Sequence, residues 1–197
     1  MTTLTHPLPP LPLDDRRGTV GMLMFIVTEA SLFVMLFFSY FYLGRNQPLW
    51  PPDPPPSLRL PLVMLAVLVT SSVVLHLGER ALERGARTLA RPALALTMLL
   101  GLMFLGLQTL EYVKKSEMLL PTTSAYGSIV YAITGFHALH VVVGVLLLGF
   151  VLLLPALEPT PRPPHRPLRA VSMYWHFVDA VWLCIVAIIY VLPHFQR

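Results

Sequence analysis

Five long apolar runs dominate this sequence and limit what the chain can fold into. A helix that crosses a bilayer needs about 20 apolar residues. The five runs are Thr19–Leu43, Leu60–Gly78, Pro92–Leu110, Tyr126–Leu154 and Ala170–Leu192. Because lipid offers no partner to backbone N–H and C=O groups, runs of this length form helices. The sequence therefore predicts an all-α, polytopic membrane protein built as a bundle of five transmembrane helices.

The segments between the runs leave little room for a soluble domain. Of the 197 residues, 55% are hydrophobic and 12% are charged, and the mean hydropathy is +0.68. Residues 1–18 form a proline-rich tail that does not resemble a cleavable signal. We expect a single transmembrane domain at residues 19–193, with proline-rich connectors at residues 44–57 and 155–169.

Basic residues are distributed unequally between the two sides of the predicted membrane. Five spans place the termini on opposite sides, and nine of the 14 Lys and Arg residues fall on the N-terminal side: Arg16, Arg17, Arg80, Arg84, Arg87, Arg91, Arg162, Arg166 and Arg169. Short cytoplasmic loops carry an excess of Lys and Arg. This predicts a cytoplasmic N-terminus and a C-terminus outside. No basic stripe with interleaved aromatics lies beyond the runs, so nucleic acid is not an expected partner.

Glu29 is the one charged residue of the first run. It lies ten residues into that run, and His137 lies eleven residues into the fourth, which enters from the opposite side. At about 1.5 Å per helical residue, both lie roughly 15 Å deep, near the midplane of a hydrocarbon core about 30 Å thick. Burying a carboxyl is costly without a hydrogen-bond partner. We therefore expect Glu29 to bond His137, or His140 one turn away.

The residues alone leave three interpretations of this cluster open. The i, i+3 spacing of His137 and His140 suits a metal site with Glu29 as an oxygen ligand, but His76 and His176 lie too near the inner side to add a third imidazole. A proton relay through Glu29 is the second, because intramembrane carboxylates often mark such paths. The favoured interpretation is a structural cluster of hydrogen bonds.

Two other polar pairs lie in the runs. His176 and Asp179 are one helical turn apart on one face of the fifth helix, near the aromatics Tyr174, Trp175 and Trp182. We expect this pair to fix helix packing, and a ligand or catalytic role is the alternative. Gln108 and Glu111 lie at the outer end of the third run, where we expect them to be solvated or capped.

Motifs for bond chemistry are missing from the sequence. Cys184 is the sole cysteine, which excludes an internal disulfide and a cysteine-based metal cage. There is no Gly-rich phosphate loop and no nucleophile elbow. We therefore expect this chain to have no means of bond chemistry by itself.

Several motifs resemble subunit III of haem–copper terminal oxidases, in a short five-helix form that lacks the first two of the seven helices found in many members. The resemblance covers nearly all of residues 19–192. It is carried by Gly21–Glu29 in the first helix, Gln108-x-x-Glu111-Tyr112 in the third, Tyr126-Gly127-Ser128 and Thr134–Val141 in the fourth, and Tyr174–Trp182 in the last. One departure is Glu79-Arg80, which replaces a pair of histidines common in the family.

The resemblance implies a non-catalytic subunit of a proton-pumping oxidase that reduces O2 to water in aerobic respiration. It would bind subunit I, adjoin subunit II and further subunits, carry phospholipid, and support proton uptake and stability. The chain itself would hold no catalytic site, no metal and no cofactor, and haem and copper would belong to the partner subunits. Glu29 would be the family's carbodiimide-reactive carboxylate, and we expect His137 as its partner. The implied packing or lipid head-group residues are Tyr174, Trp175, His176, Asp179 and Trp182.

Alternative functions remain open at this point. The electron donor could be cytochrome c or quinol, and related subunits also occur in quinol oxidases and nitric oxide reductases. A stand-alone proton-linked transporter using Glu29 and Asp179 is a different class, although the sequence has no internal repeat to favour it. We expect the chain to reside in a bacterial cytoplasmic membrane.

Overall fold

The structure is a computed structural model that describes residues 15–45, 47–52, 55–116, 124–157 and 165–195. Over these residues it contains five long helices and no strand, which confirms the all-α prediction. The helices are α1 (Asp15–Gly44), α2 (Arg59–Glu83), α3 (Arg87–Ser116), α4 (Ala125–Leu157) and α5 (His165–Ile185). A π-helical segment, Val186–Val191, and a 3₁₀ turn, Leu192–His194, continue α5.

All five helices are long and apolar enough to cross a membrane. Each predicted span lies within one of them, the last extending through the π-helical segment into the 3₁₀ turn. Most of the predicted tail, residues 1–14, and residues 158–164 of the second proline-rich connector lie outside the described residues. The orientation in the membrane stays a prediction.

The connection between α2 and α3 is a tight turn that begins and ends within a few residues. Gly85 has a φ of +80°, a left-handed conformation that glycine adopts without strain. The N–H of Ala86 bonds to the carbonyl of Ala81 at 2.9 Å, and the N–H of Gly85 bonds to that of Leu82 at 3.0 Å. These two bonds form a Schellman motif, which satisfies the last carbonyls of α2. The segment between the second and third predicted spans, residues 79–91, is therefore mostly helical, and α2 and α3 form an antiparallel hairpin.

Four of the helices form a ring. α2 and α4 each pack against both α3 and α5, whereas α1 lies outside the ring against α4 and α5. Most of α1 therefore presents large apolar side chains outward, and Phe33 and Tyr40 are its buried members among the described residues. The interior of the bundle is therefore enclosed by α2, α3, α4 and α5.

Trp175 occupies the centre of the ring and explains its close packing. A Cβ added at Gly101 of α3 would lie 2.6 Å from Cη2 of Trp175, and one at Gly144 of α4 would lie 2.7 Å from its Cε3. The indole N–H donates to Oγ of Ser71 on α2 at 2.9 Å. Glycine is needed at both positions because no side chain fits beside the indole. One α5 residue thus contacts all three other ring helices.

The first proline-rich connector packs onto the end of the bundle at which α1 ends. Trp50 lies edge-on to Tyr40 of α1 and to Tyr126 of α4, with ring centroids 5.3 and 5.2 Å apart. Its indole fills the space beside Gly44, where a Cβ would lie 2.7 Å from the ring. The aromatic cluster holds the end of α1 against the ring.

Candidate functional site

Glu29 of α1 forms a hydrogen bond across the helix interface to α4. Its Oε2 lies 3.0 Å from Nε2 of His140, and the two side chains are 27% and 10% exposed. Nδ1 of the same imidazole lies 2.7 Å from the backbone carbonyl of Phe136, one turn earlier on α4. The histidine is therefore held at both ring nitrogens, and the carboxyl is held at one oxygen.

The hydrogen bonds fix how many protons this pair contains. A carbonyl oxygen accepts only, so Nδ1 of His140 must carry a hydrogen. Either the carboxyl of Glu29 then donates to a neutral Nε2, or a protonated imidazole donates to the carboxylate. In both cases one proton lies in the bond and the pair as a whole has no net charge. The arrangement can hold a proton deep in the bundle without an isolated charge.

Aromatic rings from α1 and α5 enclose His140. The Phe33 ring meets the imidazole edge-on at 5.0 Å, and the Tyr174 ring is stacked with it at 6.4 Å. The Tyr174 hydroxyl also donates to the backbone carbonyl of His140 at 3.2 Å. The Glu29 cluster, defined as Glu29, His140, Phe33 and Tyr174, therefore joins all three helices that meet at this point.

Of the two expected partners of Glu29, the structure shows His140, and the choice of His137 is wrong. His137 is fully buried and is stacked on Trp182 of α5 at 5.0 Å, with Phe104 of α3 edge-on at 5.5 Å. Within the described residues neither of its ring nitrogens has a hydrogen-bond partner. Three helical residues advance by about 300°, so the two histidines point about 60° apart. That difference turns His140 towards α1 and His137 towards α3.

The metal interpretation loses its geometric basis for the same reason. The two imidazoles of the i, i+3 pair belong to different surroundings, with Glu29 beside one of them. Among the described residues, no group of three His, Cys, Asp or Glu side chains lies close enough to hold a metal ion. The expectation that this chain carries no cofactor remains a prediction.

His176 and Asp179 are linked through a third residue. The hydroxyl of Ser72 on α2 donates to Oδ2 of Asp179 and lies 2.8 Å from Nδ1 of His176. The sequence indicated the histidine and the carboxylate but missed this serine. The sequence could not single out Ser72, because a hydroxyl in an apolar helix commonly bonds the backbone of its own helix, as Thr70 does. We call Ser72, His176 and Asp179 the Ser72 cluster.

The expectation that Gln108 and Glu111 are solvated is wrong. Their exposed fractions are 3% and 5%, and the Tyr190 hydroxyl donates to Oε1 of Glu111 at 3.0 Å. Nearby, the Tyr112 hydroxyl bonds Oγ1 of Thr134 at 2.8 Å. The predicted span ended at Leu110, but α3 continues to Ser116, so both side chains lie inside the packed bundle. The π-helical segment supplies Tyr190.

The helices and the polar pairs between them define the class of protein. Apolar helices long enough to cross a membrane, with ionisable pairs packed between them, are typical of a polytopic, α-helical integral membrane protein. The family model for cytochrome c oxidase subunit III matches residues 16–193. The chain belongs to the cytochrome c oxidase subunit III family.

Relatives from distant organisms support this assignment. Cytochrome c oxidase subunit 3 of Synechocystis is 36% identical over 176 residues, covering 87% of this chain and 74% of the relative. The proteins of the same name from Danio rerio and Branchiostoma lanceolatum are each 36% identical. The alignment with the Danio rerio protein covers 94% of this chain and 72% of the relative. The alignment with the Branchiostoma lanceolatum protein covers 86% of this chain and 67% of the relative. Family membership makes the chain a subunit of an oxidase complex.

Proposed function

We propose that this chain is the non-catalytic subunit III of a proton-pumping terminal oxidase that reduces O2 to water. In this proposal subunit I is its main partner, subunit II is a neighbour, and the haem and copper reside in those subunits. The chain binds phospholipid and supports proton uptake and stability. It lies in a bacterial cytoplasmic membrane with its N-terminus in the cytoplasm, as the excess of Arg on that side favours.

The observation that carries the proposal is the bond between Glu29 and His140. A carboxyl in the middle of a span is costly to bury, and the imidazole offsets that cost by completing a neutral pair. The bond also attaches α1, which has few buried side chains, to the ring. A structural attachment of α1 is therefore sufficient to explain why the carboxyl is there.

The same pair is also suited to a supporting role in proton uptake. Its single shared proton can sit nearer the carboxyl or nearer the imidazole without changing the net charge. Glu29 is 27% exposed, so its second oxygen can exchange a proton with a neighbouring molecule. The pair by itself provides a proton-holding position, and reduction of O2 is left to the partner subunits.

Purification of the tagged chain tests the proposal. The chain is extracted in mild detergent from membranes of its host, and untagged membranes are processed in parallel as the control. We expect stoichiometric haem in the visible spectrum and O2 consumption that falls when this subunit is stripped away. A colourless chain that moves a solute in vesicles would overturn the proposal and favour a transporter. Reduction of nitric oxide in place of O2 would correct the acceptor.

A further inference from the structure

Three buried polar side chains in the interior of the ring belong to neither the Glu29 cluster nor the Ser72 cluster. They are Gln108 of α3, His137 of α4 and Trp182 of α5, and none is more than 3% exposed. Both polar atoms of the Gln108 amide, both nitrogens of His137 and the indole nitrogen of Trp182 have no hydrogen-bond partner within the described residues. Because a buried polar atom without a partner is costly, native proteins almost always supply one, from the protein or from water.

The three side chains converge on the ring of Phe104 in α3. This ring meets Trp182 edge-on at 4.9 Å and His137 edge-on at 5.5 Å, and the imidazole is stacked on the indole at 5.0 Å. Gln108 follows Phe104 by four residues, which places it one turn further along the same face of α3. The unpartnered atoms therefore lie in one region, enclosed by α3, α4 and α5.

Trp175 shows how a buried indole of the same helix is satisfied. Seven residues separate it from Trp182, so the two lie two turns apart on one face of α5. Both are fully buried, and the N–H of Trp175 donates to Oγ of Ser71 at 2.9 Å. At Trp182 no side chain of the described residues takes the place of that hydroxyl. The two indoles therefore differ in their acceptors and not in their burial.

The chemistry of the unpartnered atoms limits what can bind between them. A glutamine amide and a neutral imidazole each offer a donor and an acceptor, whichever ring nitrogen carries the hydrogen, and the indole offers a donor. An alkyl chain can bond none of them, and a metal ion cannot accept from an indole N–H. The Tyr112 hydroxyl lies beside Gln108 but donates to Oγ1 of Thr134. A small molecule that both donates and accepts can satisfy all three side chains, and water is the smallest.

The polar surroundings of Gln108 continue towards the end of α3. Gln108 lies six residues, or about 9 Å, from Lys114, where the apolar part of the helix ends. Between these two residues, the buried carboxyl of Glu111 accepts a hydrogen bond from the Tyr190 hydroxyl at 3.0 Å. The distance from Gln108 to the aqueous phase is therefore short, and polar side chains lie along it.

We propose that α3, α4 and α5 enclose a binding site for ordered water at Gln108, His137 and Trp182. The water accepts from the indole N–H of Trp182 and donates to the amide oxygen of Gln108, and the His137 imidazole supplies a further bond. A buried water makes about three hydrogen bonds, which these side chains provide. All three residues belong to this chain, so the inference does not depend on the partner subunits.

Radiolytic hydroxyl labelling of the purified complex tests the site, because ionised water oxidises the side chains that it contacts. Oxidation of Trp182 and of Trp175 is measured by mass spectrometry in one preparation, with Trp175 as the matched control for burial. We expect Trp182 to be oxidised at least fivefold more than Trp175. Equal oxidation of the two indoles would overturn the inference.

A variant of Gln108 tests whether this side chain holds the water. Gln108→Met keeps the length of the side chain without its amide, and we expect oxidation of Trp182 to fall to the level of Trp175. Thr109→Val is the control, because the Thr109 hydroxyl bonds the carbonyl of Leu105 in its own helix at 2.9 Å. That variant should leave the labelling unchanged. Persistent oxidation of Trp182 in the Gln108→Met complex would contradict the assignment.

A high-resolution density map of the unmodified complex is a second test that needs no variant. We expect a separate density within hydrogen-bond distance of Gln108 and Trp182. A direct bond between the amide and the indole, or another side chain in that position, would overturn the inference. Failure of the proposed function would instead appear as a lack of haem or of O2 consumption, neither of which enters these measurements.

Discussion

The Glu29 cluster and the Ser72 cluster use similar residues in different ways. Each pairs an imidazole with a carboxyl group in the middle of a membrane span. In the Glu29 cluster both imidazole nitrogens have partners within the chain. In the Ser72 cluster the serine joins the two ionisable groups, and an oxygen of Asp179 is left without a partner in the described part of the chain.

The difference lies in which helices each cluster joins. The Glu29 cluster attaches α1, which lies outside the ring, to α4. The Ser72 cluster joins α2 and α5, which are neighbours within the ring. Damage to the first cluster should therefore loosen α1, and damage to the second should loosen the ring itself.

The largest effect is expected from a substitution that disturbs both clusters at once. Gly144→Val places a side chain where an added Cβ would lie 2.7 Å from Trp175, the residue between Tyr174 and His176. Overpacking of this kind costs about 1–3 kcal/mol, and more where neighbours cannot move. We expect the yield of haem-containing complex to fall at least tenfold. Gly106→Val is the control, because nothing lies within 4 Å of a Cβ there; equal losses would exclude the indole contact as the cause.

A somewhat smaller effect should isolate the Ser72 cluster. Ser72→Ala removes the hydroxyl that bonds Asp179 and His176, and a buried polar group left unsatisfied costs about 1–3 kcal/mol. We expect this subunit to dissociate from the complex at lower detergent concentration, with the Glu29 cluster intact. In the control Ser39→Ala, the lost hydroxyl bonded the backbone of its own helix. The two variants would behave alike if the cluster had no role in retention.

A graded effect is expected at Glu29. Glu29→Gln keeps a group that can donate to Nε2 of His140, so assembly and most turnover should survive. Glu29→Leu leaves that nitrogen unpaired, and we expect it to lower stability by about 1–3 kcal/mol. Thermal inactivation of O2 consumption measures the difference. Loss of proton pumping in a normally assembled Glu29→Gln complex would show a relay instead of a structural role.

The smallest effect should come from the other histidine of α4. His137→Phe keeps the aromatic stack on Trp182 and removes nitrogens that have no partner among the described residues. Replacing a polar group that bonds no other protein group by an apolar one of similar shape is nearly neutral, so we expect a change below about 1 kcal/mol. His140→Phe should cost more, because it leaves Glu29 unpaired. Thermal inactivation of the two variants tests this, and an equal cost would contradict the assignment of His140 as the partner.

The sequence predicted the helices and the relative level of Glu29 and the histidines of α4, because both depend on length and hydropathy along the chain. It placed Glu29 opposite the two histidines of α4. It could not choose between His137 and His140, since that choice depends on which face of α4 meets α1. The rotation of one helix against another is set by packing, here by Trp175 between Gly101 and Gly144.

Other residues carried too weak a signal to be found. Ser72 is one hydroxyl among several in apolar runs, and its role depends on α5 lying beside it. Gln108 and Glu111 lie at the end of a hydrophobic run, where side chains are ordinarily exposed to solvent. Their burial follows from the extension of α3 and from Tyr190, and neither could be read from the local composition.

The position of α1 outside the ring has a consequence for biosynthesis. α1 leaves the ribosome before its packing partners, α4 and α5, are made. It therefore enters the bilayer ahead of them, and Glu29 stays without its partner His140 until α4 has been inserted. A chain stopped after Ser116 should leave Phe33 and Tyr40 accessible to labelling after substitution by cysteine, whereas the complete chain should protect both. A helix that is translated early is then docked late.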